Sequence, residues 1–178
     1  MAEIVNLQDF RTKAIEQRSF GPWRQRFGEA YGISTKPSDL SDGTLYFLAQ
    51  PGEQSTAAYY ELIMGILDLG KPAKFDYLAN NEQMRVVDIH LFLADHVRFE
   101  MMRRLGWLDR IPGRSYNLLE MVRSFERVKA ACRNEPLELA RSHPGYREYE
   151  LLTRGDKEVF IRRLLTEALD AFEERLES

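Results

Sequence analysis

Apolar positions along this chain recur at three- and four-residue spacing almost throughout, a pattern that predicts helices rather than strands. The longest periodic stretch is NNEQMRVVDIHLFLADHVRFEMMRRLGW, residues 80–107. Val86, His90, Leu93, Ala94, Val97 and Met101 share one arc of that helix, and Phe92 and Phe99 give it a second apolar side. A helix that is apolar nearly all round is a buried one. Asn80 with Gln83 three residues on suggests a capping box at its start. Arg103 and Arg104, followed by Gly106, suit its end, where cations meet the negative pole of the dipole.

The flanking pattern is read the same way. Residues 6–18 form a first helix with Asn6 as cap, Asp9 in the first turn, and Val5 and Phe10 spaced as a hydrophobic staple. Gly21-Pro22 then breaks or restarts it, and a short second helix presents Trp23, Phe27 and Tyr31 at four-residue spacing. Residues 32–43, rich in Ser, Thr, Pro, Asp and Gly, read as a loop and the only candidate hinge. TLYFLAQ, residues 44–50, finds no β-rich partner and is read as a short helix. Residues 53–69 form a strong helix in which Gly65 costs about 1 kcal/mol against alanine; a close crossing, with the central helix as partner, accounts for it. In the connection 71–79, Phe75 and Tyr77 are read as aromatic plugs.

A linker is expected over 108–114, one helix over 115–133, and two short helices over 136–153. The last helix opens at Gly155-Asp156, with a stripe of Phe160, Leu164, Leu165, Ala168, Phe172 and Leu176. The expectation is an all-α fold. One helical domain spans 1–178, a compact bundle of six or seven helices around a buried central helix over about 80–105.

Composition narrows the class. The 178 residues are 44% hydrophobic and 30% charged, ordinary for a globular chain that buries its own core. A formal net charge of −3 argues against general binding to nucleic acid or anionic membranes. The single cysteine, Cys132, excludes an internal disulfide framework and fits a reducing, cytoplasmic compartment. MAEIVNLQDF lacks the basic and apolar regions of a secretory signal, and no apolar run suffices to span a bilayer.

Chemistry has few candidates. Asp88 and Asp95 share a face of the central helix seven residues apart, and His96 with Glu100 is an i, i+4 pair. Such spacing suits a general base or a ligand set only if another helix, through Glu61 or Asp68, completes it. The plainer reading is an acidic strip paired with Arg85, Arg98 and Arg103. His90 lies mid-arc, as a core histidine bonded to a tyrosine or carbonyl would. His143, in the turn SHPG, is expected to be exposed and inert. Cys132 falls late in a helix, where the dipole disfavours a thiolate. HExxH, CxxC, GxSxG and phosphate-cradling glycine motifs are all missing, and no metal or other cofactor is implied.

Charge is uneven: nine basic residues face four acidic ones between Arg98 and Arg133. Arg103, Arg104, Arg110 and Arg114 are therefore candidates for an anion or acidic partner, although pairing with the acidic last helix is the favoured reading. A helix-turn-helix in residues 136–155 would carry Glu148 and Glu150 on its recognition helix, which rules against DNA. Two functions survive. The first is a non-enzymatic regulatory or adaptor protein that binds a protein partner, or itself, through an amphipathic helix face. The second is a small enzyme or ligand-binding protein with a polar site at Asp88, Asp95, His96 and Glu100.

Overall fold

The computed structural model describes residues 6–178, so the staple involving Val5 lies outside the described residues. The fold is an all-α bundle. Helix α1 (Leu7–Phe27) starts at Asn6, whose side chain accepts the Gln8 N–H, and ends at Gly28 in the left-handed region. It runs unbroken through Pro22, contrary to the expected break. Proline removes only one hydrogen bond, the one to the carbonyl four residues back, here Arg18. That carbonyl lies directly against Gly65, and the crossing of the two helices holds the segment helical.

Ser41 caps α2 (Asp42–Ala49), the expected short helix, by accepting the Thr44 N–H. Helix α3 (Glu53–Leu67) stops at Asp68, which takes positive φ. Gly65 is indeed at a close crossing, but its partner is α1 and not the central helix. Buried Trp23 seals that contact by donating Nε1–H to the Ala58 carbonyl at 2.8 Å. Trp23, Phe27 and Tyr31 follow one another edge to face, and Phe27 meets Phe47 of α2 at 5.5 Å.

The central helix is α4 (Asn80–Arg104). It packs against α2 and α3, and against later elements described next. Val86, Leu93, Ala94, Val97 and Met101 are buried as the stripe predicts. The capping box at its start is absent. Ala79 is the cap residue, and Gln83 instead donates to the Phe75 carbonyl. Its end is as expected, with Gly106 at positive φ.

After α4 the chain departs from the expected pattern. Leu108–Arg110 (β1) pairs antiparallel with Glu138–Leu139 (β2), matching Leu108 to Leu139 and Arg110 to Glu138. The expected helix over 115–133 is two, α5 (Leu118–Arg123) and α6 (Phe125–Cys132), divided at Ser124 where ψ swings to 35°. Between β2 and the end lie α7 (Tyr146–Glu150), α8 (Arg154–Arg163) and α9 (Leu165–Glu177). The last two meet at Leu164, so the expected final helix also bends. Helix α4 additionally packs on α5, α9 and β1. Loop 32–43 contains a 3-10 turn at Pro37–Asp39, buries Pro37 and Leu40, and offers the Thr35 carbonyl to the Leu118 N–H at 2.9 Å. Among the described residues, no helix is long and apolar enough to cross a membrane.

Candidate functional site

The strip of polar residues expected on α4 does not form one site. Asp88 is exposed and makes no ion pair among the described residues. Glu100 points the other way, fully buried at the helix C-terminus. It accepts Arg103 Nε and Nη2 at 2.9 and 2.8 Å and Arg104 Nε at 3.0 Å. Burial alone would push its carboxyl up, but the hydrogen bonds and charges of Arg103 and Arg104 hold it below its ordinary value. Glu61 is taken by Arg26, and Asp68 lies beside Arg18, so neither converges on α4.

The four anion-site arginines are occupied similarly. Arg104 also bridges Asp42 at 2.8 Å and donates to the Ser38 carbonyl. Arg114 stands 4.0 Å from Glu100, and Arg110 stands 3.8 Å from Glu138. Within the basic band Arg103, Arg104, Arg110 and Arg114 pair internally, but with Glu100, Asp42 and Glu138 and not with the acids of the last helix. Helix α9 contributes a cation instead: Arg175 bonds Asp42 at 3.2 Å and the Arg104 carbonyl at 2.9 Å.

Asp95 and His96 do reach a common place. They line a surface cleft of about 780 Å³ bounded by α4, α6, the segment 133–138 and α8. His96 is buried on its floor. Its Nδ1 lies 2.8 Å from the Phe92 carbonyl, which can only accept, so Nδ1 carries the proton. Nε2 is left as an acceptor, 3.7 Å from Cys132 Sγ. The ring thus turns back one turn toward Phe92 and away from Glu100, which is why the i, i+4 pair never meets. Burial lowers the His96 pKa and pushes the Cys132 thiol up to about 11, with Glu135 adding to the latter. The pair is a neutral thiol facing a neutral imidazole.

Gly113 lies over this pair at φ 71°, and a Cβ there would stand 2.8 Å from Sγ and 2.9 Å from Nε2. Its N–H is held by Glu135 at 2.6 Å. A shielded thiol with a pKa near 11 has a thiolate fraction of about one in a thousand at pH 8, against about one in four for a free cysteine. Labelling of the native protein with a disulfide reagent at pH 8 is therefore expected to run at least about a hundredfold slower than in denaturant. Comparable rates would mean that the strap over Cys132 is open.

The walls are charged, with the cations Lys129, Arg133, Arg154, Lys157 and Arg162 and the carboxylates Asp95, Glu135, Glu138 and Glu158. Asp95 and Glu158 are both spent on Arg162, at 2.6 and 2.9 Å. Lys129, Arg133, Arg154 and Lys157 also line the cleft, and none has a carboxylate within 4.0 Å among the described residues. Lys129 sits over the Phe125 ring and Lys157 over Tyr149, 5.4 and 5.2 Å from the centroids. Arg154 donates Nη2–H to the Arg133 carbonyl at 2.8 Å, tying the start of α8 to the end of α6. Sequence reasoning counts Lys129 and Arg133 in the basic band without singling them out, and it misses Arg154 and Lys157. The local signal of the four is two same-face pairs, 129/133 and 154/157, but only the tertiary fold makes them one group.

The other histidines lie outside the cleft. His90 is half-buried between Tyr59 and Tyr60, 4.8 and 5.5 Å ring to ring, and burial followed by the Arg98 charge lowers its pKa. His143 is half-buried rather than exposed: it meets Trp107 edge-on at 5.3 Å and accepts the Gly145 N–H at 3.0 Å.

Fold and site together define an all-α protein with a charged cleft beside its central helix. Comparisons with protein-family models, curated proteins and solved structures find no match for this chain. Geometry alone carries the functional reading.

Proposed function

We propose that this is a ligand-binding protein whose cleft beside Asp95 and His96 takes a small anionic molecule. The observation that supports the reading is that Lys129, Arg133, Arg154 and Lys157, none within 4.0 Å of a carboxylate among the described residues, line one cleft of about 780 Å³. The carboxylates of that cleft, Asp95, Glu135, Glu138 and Glu158, are engaged with Arg162, Gly113 and Arg110. Cations without carboxylate partners around one cleft favour an anion there. The size falls in the range of small-molecule sites, roughly 300–1,000 Å³. The neutral Cys132–His96 pair on the floor favours binding over nucleophilic catalysis, since neither group is charged for attack. A cytoplasmic setting suits the reduced thiol.

The test is thermal unfolding with pyrophosphate or with spermidine at low salt. At ten times its Kd an anion adds about 1.4 kcal/mol, a rise in Tm of about 3–5 °C for a chain of this size. Pyrophosphate is expected to give that rise and spermidine none. The rise should shrink with added salt and vanish in Lys129→Glu/Lys157→Glu. Stabilisation that is equal in the double variant would remove the cleft from consideration.

A protein-partner reading retains one specific surface. The apolar stripe of α9 is spent on the core, with Ala168 and Phe172 fully buried. Met84 and Leu91, seven residues apart on α4, are 66% and 57% exposed. If that row is an association face, sedimentation of the purified protein gives a dimer that Leu91→Glu converts to monomer. A monomer in both proteins argues against self-association there.

A further inference from the structure

The cleft offers more than charge. Its unpaired cations come from α6, from Arg133 at the end of α6 and from α8, whereas its apolar surface comes from Phe92 and Phe99 of α4 and from Pro136 and Leu137 in the segment leading into β2. Glu135 and Glu138 of that segment also line the cleft, with Glu135 holding the Gly113 N–H and Glu138 lying 3.8 Å from Arg110. Phe92 and Leu137 are half-buried and Pro136 is exposed. An inorganic anion would occupy a small part of about 780 Å³ and leave Phe92, Pro136 and Leu137 facing water, while Phe99 is buried beneath Arg162. A site with one charged and one apolar wall matches a ligand divided in the same way.

The cationic wall is also prearranged. Arg154 spends one N–H on the Arg133 carbonyl, which fixes the guanidinium plane while leaving four of its five donors free. Lys129 and Lys157 rest over aromatic faces that attract the ammonium without consuming its hydrogen-bond donors. The arrangement suits a single head group taken by the Arg154 fork, with the lysines as flanking point charges. Arg162, by contrast, is neutralised by Asp95 and Glu158, so charge is concentrated at the α6–α8 end.

We propose that the ligand is an amphipathic organic anion, whose phosphate or carboxylate head lies among Lys129, Arg133, Arg154 and Lys157 and whose apolar body lies along Phe92 and Leu137. This rests on the anion-binding reading above and specifies its ligand class. The ligand is a free molecule of modest size: the head supplies orientation and the body supplies most of the affinity.

The test is calorimetric titration of the full chain with inorganic phosphate and with butyl, hexyl and octyl phosphate below their micelle concentrations. Affinity is expected to rise about twofold per methylene, half the factor for a fully buried one because the cleft is open to solvent. Octanoate should bind in the range of the longer alkyl phosphates, which separates the head's charge from its identity. Leu137→Asn should flatten the chain-length series while leaving inorganic phosphate binding unchanged. Arg154→Glu should weaken every member at least tenfold. Both variants are compared with the parent by thermal unfolding, so that a folding defect is seen directly. Inorganic phosphate binding as tightly as octyl phosphate would overturn the amphipathic class and leave the anion site standing. Binding of none of the anions overturns both readings. A chain-length effect that survives Arg154→Glu places the alkyl phosphates elsewhere and also overturns the proposal.

Discussion

Replacing Glu100 by Gln is expected to remove about 3 kcal/mol of folding stability, read as a lower urea midpoint at unchanged slope. The carboxylate is fully buried and accepts three hydrogen bonds from Arg103 and Arg104. Breaking a buried ion pair from one side costs about 3–5 kcal/mol, because the remaining charge is stranded. The low end applies here. Arg103 is 30% exposed and can turn to water, and Arg104, only 12% exposed, keeps Asp42. Glutamine preserves the shape but points an NH2 donor at guanidinium donors, so one contact becomes repulsive.

The same residue sets a pH dependence. Burial acts to raise the Glu100 pKa, and hydrogen bonds from Arg103 and Arg104 more than offset it, so the folded value lies below the unfolded one. A depressed carboxyl contributes stability that is present above the unfolded pKa, near 4.3, and lost as pH falls through the folded value. The gap between wild type and Glu100→Gln should therefore be full at neutral pH and narrow below about pH 4. Asp42, held low by Arg104 and Arg175 against the opposing effect of its burial, steepens the acid limb in both proteins and does not close the gap. A gap independent of pH would mean that Glu100 is not held as a carboxylate.

Glu100 also marks where the sequence stops being legible. The stripe from Val86 to Met101 and the stop at Arg103-Arg104-Gly106 are local, and the structure has them as read. Glu100 falls on a polar strip with His96 by four-residue spacing, which is all a single helix provides. Its burial is decided by residues about sixty positions earlier: Arg104 reaches Asp42 and the Ser38 carbonyl, folding α2 and the Pro37 turn over the end of α4. The cleft is hidden for the same reason. His96 meets Cys132 across 36 positions, and Arg154 reaches Arg133 across 21. Short strands β1 and β2, two or three residues each, are too brief to leave an alternating pattern, yet they run beside that cleft. The dipeptide Gly21-Pro22 misled in the opposite sense. Its local signal to break was sound, and a tertiary contact overrode it.

That contact makes Gly65→Ala the second large effect. Helix propensity alone favours alanine over glycine by about 1 kcal/mol inside a helix, so a loosely packed α3 would be stabilised. The structure predicts the reverse sign. A Cβ at residue 65 would stand 2.7 Å from the Arg18 oxygen and the Ser19 Cα, and 2.9 Å from the Arg18 carbonyl carbon. All three are backbone atoms, so no side chain can rotate away, and the helices themselves must part. Overpacking of this kind costs about 1–3 kcal/mol and occasionally more, and rigid backbone on both sides puts this case at about 3 kcal/mol. The separation would also stretch the Trp23 Nε1–H bond to Ala58 and the Arg18 Nε–H bond to the Gly65 carbonyl. Chemical unfolding gives the stability change, and tryptophan emission shifted to the red in the folded variant, read in a Trp107→Phe background, reports water reaching fully buried Trp23. A stabilised Gly65→Ala with unchanged emission would show that α1 and α3 cross with room to spare and that the crossing is not what keeps α1 continuous through Pro22.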